Sequence, residues 1–256
     1  MQELNEHTIV KLIASDEQAA WPSLDFMLNG AFNSGGYLTG VRKSGIEGLF
    51  VAPEVSRNEL NLEPNMIPGD IDLLVIPYKA NRKLYHKAMA VEVKVVKPTL
   101  IKPSRNANSL GKRQVEGLAN DGFPYVGLLH IVMPEPLPEH LFTTLPLLKA
   151  GVHSSELFNA EGNPKFTHKA DLFPIFGANR QFGRMKKLDL PEYVGTSSFG
   201  VSFRMLDGRW RVSSYNIQTN QTYPSRNPNT SLQTLKLIKE HYKKYANRYA
   251  KISTFA

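Results

Sequence analysis

The chain has 256 residues, 41% of them hydrophobic, enough to bury a full core and too apolar for the disordered class. With 31 Lys and Arg against 23 Asp and Glu its formal charge is +8, which favours a polyanionic partner, nucleic acid first, over an acidic small molecule; a basic surface with no such purpose is the plainer alternative. There is no cysteine, which excludes disulfides, thiolate zinc sites and cysteine nucleophiles, so any metal must be held by oxygen or histidine.

The opening segment MQELNEHTIVKLIASDEQ has no basic start followed by an apolar run, and no stretch of about 18 consecutive apolar residues occurs. A soluble cytoplasmic protein with no membrane partner is expected. Ile9, Val10, Leu12, Ile13, Ala19 and Ala20 recur at near-helical spacing, and a second helical stretch runs from Pro22 through Leu28 towards Phe32. Gly35-Gly36 breaks that pattern, and Leu49 to Val55 reads as a strand at an edge, given Pro53.

Pro68-Gly69-Asp70 reads as a turn into a strand over Ile71–Ile76, followed by a polar loop from Lys79 to Lys87 and a strand over Ala88–Val96. The simplest interpretation is two buried strands joined as a hairpin. Ser109 to Asn120 has the pattern of a helix capped by its serine, and Tyr125–Val132 is an apolar run of strand length. A proline-rich stretch from Pro134 to Pro146 marks the edge of this unit. Beyond it, Phe199–Met205 and Arg209–Ile217 read as a hairpin around Leu206-Asp207-Gly208, and Leu232–Tyr249 as a last helix with Leu235, Ile238, Tyr242, Tyr245 and Tyr249 on one face.

Within the strand 88–96, Glu92 and Lys94 are two apart, so strand alternation puts both on one face, with Val91, Val93 and Val95 on the other. An acid and a base in an otherwise apolar strand are costly unless paired or bound to metal. A solvent-exposed ion pair on an edge strand is the bland explanation, and an E-x-K triplet alone is a common accident. Its context discriminates: Asp70 and Asp72 head the preceding strand, a hairpin returns to Glu92, and the following helix carries Gln114.

Ile71-Asp72-Leu73-Leu74-Val75, then Val91-Glu92-Val93-Lys94, then a helix bearing a glutamine, resembles the PD-(D/E)XK nuclease superfamily over roughly residues 1–133. The resemblance implies an α/β fold with a restriction-endonuclease-like mixed β-sheet flanked by helices (αβββαβ). Residues 1–135 would be the nuclease core, and 136–256 a C-terminal α+β extension, with the hairpin and a basic helix, packed on it. It further implies that Asp72 and Glu92 hold one or two Mg2+ ions, with Mn2+ able to substitute, that Lys94 is the water-positioning base or a charge stabiliser, and that Gln114 completes the site. Asp70 is either a further ligand or only a cap of the turn at Gly69. The acidic residue that many members carry on the first helix or strand would be Glu17, Glu47 or Glu54, with Glu54 favoured.

The donor set suits a hard cation, since Mg2+ takes few protein carboxylates and keeps several waters. Lys97, Lys102, Arg105, Lys112 and Arg113 flank Lys94 and Gln114 and read as phosphate contacts, or else as a solvated face. Lys236, Lys239, Lys243, Lys244, Arg248 and Lys251 offer a second backbone-binding element, with the nearby tyrosines as core. His130 reads as a core histidine, His153 and His168 lie in loops, and no glycine-rich phosphate loop is present, so ATP dependence is not expected. These readings lead to a metal-dependent DNA endonuclease, of a kind used in phage defence, restriction or mobile elements, working as a homodimer or within a larger complex. The alternative is a non-catalytic nucleic-acid-binding or assembly subunit on the same fold.

Overall fold

The computed structural model describes residues 5–15, 24, 27, 45–62, 69–106, 110–146, 159, 161, 163–206, 209–215 and 220–253. Its frame is a nine-stranded mixed sheet flanked by helices. The central strands are β4 (Met89–Val96), β5 (Tyr125–Val132) and β8 (Gly195–Leu206), which run parallel to one another. Such burial on both faces explains why β5 has no polar alternation: all eight of its residues are buried. On one side β4 pairs antiparallel with β2 (Ile71–Lys79), β2 with β1 (Gly48–Val55), and β1 with the short edge strand β11 (Ala250–Ser253). On the other side β9 (Arg209–Tyr215) and β10 (Gln221–Thr222) both pair antiparallel with β8. A short strand β3 (Arg82–Lys83) folds back on β2, and β6 (Thr143–Pro146) pairs with β7 (Thr167–Ala170) in a separate ribbon.

Helix α1 (Glu6–Ser15) covers one face, burying Ile9, Val10 and Ile13 with Leu24 and Met27 against Leu73, Val75, Val91 and Val93. The i, i+1, i+4 spacing of its apolar residues makes this stripe, and Asn5 starts it by accepting the Thr8 N–H at 2.9 Å. Helices α2 (Lys112–Asn120), α3 (Phe173–Met185) and α4 (Leu232–Lys244) cover the other face, where Val115, Leu118, Met185, Leu237 and Ile238 pack on Leu74, Ile76, Ala90, Val126 and Leu128.

The expected hairpin β2–β4, the strand β5 and the hairpin β8–β9 all form. The expected boundary at residue 135 falls between strands of one sheet, because β8, β10 and β11 from the C-terminal half extend it at both ends. The last helix stops at Lys244 rather than Tyr249. A 3-10 turn over Ala246–Arg248 then folds Tyr249 inwards, and its hydroxyl meets His241 Nδ1 at 2.7 Å. The second helical stretch lies outside the described residues apart from Leu24 and Met27, which are helical and buried. Ser109, the expected cap of α2, is also outside them; the described helix starts at Lys112 with Gly111 as its N-cap.

Candidate active site

Strands β2 and β4 are paired only from Val75↔Met89 to Leu73↔Val91. Beyond Val91 they part, so the N–H groups of β4 that pointed at β2 lose their strand partner. A buried backbone donor must be satisfied, and side-chain carboxylates do it here. Asp72 Oδ2 accepts the Val93 N–H at 2.7 Å, and Glu6 Oε2, from the first turn of α1, accepts the Val95 N–H at 3.2 Å.

Into this fork project the side chains of Glu92 and Lys94 from alternate positions of β4. Lys94 Nζ lies 2.7 Å from Glu92 Oε1 and 3.2 Å from Glu6 Oε1, and the Asp72 and Glu92 carboxyl groups are close enough to influence each other's charge. Glu92 is only 3% exposed. The arrangement gathers three carboxylates around one ammonium.

Burial and the neighbouring charge of Glu92 push the Asp72 carboxyl up to about 8, against the pull of the Val93 N–H and Lys94. Burial also raises Glu92, although Lys94 opposes it. For Lys94, burial disfavours the charge, but Glu92, Glu6 and Asp72 outweigh it and hold the ammonium above its usual range. At neutral pH the acidic pair therefore shares a proton and Lys94 is charged.

Helix α2 closes the fork from above. Gly111, at φ +76°, sits so close that a Cβ there would lie 2.7 Å from Leu128 Cδ1 and 3.3 Å from Glu92 Cγ. The left-handed conformation favours glycine, and a Cβ would press on Leu128 and Glu92. The segment before it is tied down by His130, whose Nε2 bonds to Leu110 O at 3.2 Å. Buried beside Lys94 in the parallel register, His130 is driven by burial down to about 4, so it stays neutral and donates that bond. It is the core histidine its position in an apolar strand implied.

Of the expected site residues, Asp72, Glu92 and Lys94 come together. Gln114 is half-buried on α2 beside the turn into β2, its Cγ 3.6 Å from where a Cβ on Gly69 would be. Asp70 is exposed, and its Oδ1 accepts the Arg57 N–H at 3.3 Å, which ties the start of β2 to the loop after β1. Glu54, the favoured extra acid, takes φ +50° and pairs instead with His7 and with Lys11 Nζ at 3.9 Å. Glu47 precedes β1, and Glu17 lies outside the described residues. The acid that does reach the fork is Glu6, which the sequence reading missed. Its one signal was its place in the first turn of an amphipathic helix, a position that acidic residues occupy for the helix dipole alone.

Lys97 is half-buried, and Lys102 and Arg105 are exposed in the loop after β4. Arg113 is exposed on α2, whereas Lys112 is engaged by Asp189 O at 3.3 Å and Glu116 at 3.5 Å.

Among the described residues no group of three or more His, Cys, Asp or Glu side chains forms a ready-made metal cluster. Mg2+ does not need one, since one or two carboxylates with waters and substrate oxygens suffice. Asp72 and Glu92, two neighbouring carboxyls with Glu92 buried, are the residues that could serve as such a donor pair. Among the described residues no helix is long and apolar enough to cross a membrane. No protein-family model, curated protein or solved structure matches the chain.

Proposed function

We propose that the protein is a metal-dependent nuclease of the PD-(D/E)XK kind that hydrolyses DNA phosphodiester bonds, and that its fold is the restriction-endonuclease-like one. The observation that carries this reading is the convergence of Asp72, Glu92 and Lys94 at the fork of β2 and β4. A structural ion pair would balance its charges. This cluster keeps an excess of carboxylate over ammonium, which a divalent cation would offset, leaving the cation able to take a phosphodiester oxygen as well.

Asp72 and Glu92 would hold Mg2+, or Mn2+ in its place, and the ion would supply charge neutralisation at phosphorus and a water more easily deprotonated. Lys94, held charged by Glu92 and Glu6, fits a stabiliser of phosphoryl charge and an anchor for the attacking water, not a base. Glu6 orients Lys94 and satisfies the Val95 N–H. Attack forms a bond from water oxygen to phosphorus and breaks one ester P–O bond, leaving a phosphate monoester and a hydroxyl.

The test is cleavage of supercoiled plasmid, linear duplex and single-stranded DNA with Mg2+, Mn2+ or EDTA, comparing wild type with Asp72→Asn and Lys94→Ala. Metal-dependent cutting lost in both variants supports the reading. No cutting by the wild type, with DNA binding unchanged by either substitution, assigns the chain to the non-catalytic binding subunits instead.

A further inference from the structure

The loop that leaves β4 just after Lys94 does something unusual with two aliphatic side chains. Leu100 is 42% and Ile101 91% exposed, at the tip of a turn that is braced on every side. Thr99 and Lys102 close it by mutual bonds, Lys102 N–H to Thr99 Oγ1 at 3.0 Å and Thr99 N–H to Lys102 O at 3.4 Å. Its near limb is held by Glu135, whose N–H donates to Pro98 O at 2.9 Å and whose carboxylate accepts the Leu100 N–H at 3.4 Å. Its far limb is gripped from α3, where Arg180 donates to Ser104 O at 2.6 Å and to Arg105 O at 2.7 Å. The buried Gln181 adds a bond to Asn106 Oδ1 at 2.9 Å.

A single exposed aliphatic residue is ordinary. A rigidly presented Leu-Ile pair, flanked by Lys97, Lys102 and Arg105 in a segment with no acidic residue from 97 to 106, is not. The exposed Lys102 and Arg105 give the tip a basic rim suited to a polyanion, with the Glu135 carboxylate turned onto the Leu100 N–H. Six residue steps separate Lys94 from Leu100, at most about 20 Å when extended, so a duplex bound at the fork is long enough to reach this tip.

We propose that the loop is a wedge: Leu100 and Ile101 enter the base stack of the DNA whose backbone Lys97, Lys102 and Arg105 hold. Aliphatic side chains inserted at a base step unstack it and bend the duplex, and bracing lowers the cost of presenting them. The inference rests on DNA as the substrate of the fork, and it adds that the substrate is distorted beside the cut.

The test uses full-length wild type, Leu100→Ala/Ile101→Ala and, as control, Leu232→Ala. Leu232 is 84% exposed at the start of α4, next to the Gly122 turn that precedes β5 and so at the opposite end of the sheet from the fork. Each protein is titrated in EDTA against a duplex carrying 2-aminopurine at several positions, with sedimentation velocity run in parallel. The wedge is supported when wild type and Leu232→Ala brighten the probe and the double variant does not, binding about ten-fold more weakly, the order expected for losing stacking contact at one step. Equal brightening by the double variant, or a bound wild type that leaves the probe quenched, overturns it. A double variant that changes only the sedimentation of the free protein also overturns it, and makes the tip a contact between copies. Because EDTA blocks cutting, a wild type that brightens the probe but never cleaves with Mg2+ would sink the nuclease reading while leaving the wedge standing.

Discussion

Arg57 and Asp121 meet in a two-pronged pair, Nη1 to Oδ2 at 2.5 Å and Nη2 to Oδ1 at 2.8 Å, tying the loop after β1 to the end of α2, whereas Asp72, Glu92, Glu6 and Lys94 crowd three carboxylates around one ammonium at the fork. Arg57, Asp121, Glu92 and Lys94 are largely buried, while Glu6 reaches the second cluster from α1 with its side chain 40% exposed. The first is neutral as a unit, with geometry that repays desolvation. The second sets three carboxyl groups against one ammonium and relieves part of that excess by keeping a proton. The first cluster only ties two parts of the chain together, whereas the acids of the second satisfy strand N–H groups and, on the function proposed above, would also hold a metal ion.

The sharpest way to break this comparison is to disable each cluster in turn. Asp72→Asn and Lys94→Ala should each lower cleavage by about 10^3-fold, the scale for removing one preorganised charge from a transition state, measured as initial rates on plasmid with Mg2+. If Arg57→Ala slows cleavage as much at a temperature where it is fully folded, the division of roles is wrong. Conversely, Arg57→Ala strands a buried carboxylate and should cost about 3–5 kcal/mol, or roughly 10 °C in Tm, by thermal melting in EDTA.

The next effect is one of pH. Asp72 titrates near 3.8 in an unfolded chain and up to about 8 in the fold. The folded state therefore binds this proton more tightly, and its contribution to stability is complete below pH 4 and drains away as pH rises towards and through about 8. Melting in EDTA should show Tm falling across that window, Mg2+ should restore it at the upper end, and Asp72→Asn should flatten the profile and be the more stable protein at pH 8. A wild-type profile as flat as that of Asp72→Asn would remove the buried proton from the account. The smallest effect expected is that of Glu6→Gln: about a ten-fold drop in kcat with KM little changed, the size of a modest misplacement of Lys94.

Local patterns made much of this legible. Glu92 and Lys94 share a face because a strand alternates, and the apolar run of β5 is long enough for a strand and too short for most helices. Contacts between distant parts of the chain were not legible. Glu6 reaches Lys94 across 88 positions, and β11 finds β1 from the far end of the sequence with only four residues. Periodicity carries no record of such pairings. Glu54 shows the opposite failure: on a strand beside β2 it looked well placed, but its positive φ turns it towards α1.

The fork also leaves β4 with a stretch of edge that no strand covers among the described residues, since Val93 and Val95 offer their N–H groups where β2 has departed. Such an edge is a template for another chain to add itself as a strand. Asp72 and Glu6 act as stoppers on it, each filling one hydrogen-bonding slot with a charged side chain. Alanine at both positions would open the edge and invite aggregation, whereas the amides Asn and Gln keep the acceptor oxygen. The acids of this site therefore guard solubility, and a soluble Asp72→Asn/Glu6→Gln protein beside an aggregating Asp72→Ala/Glu6→Ala one, compared by light scattering at equal concentration, would display that second duty.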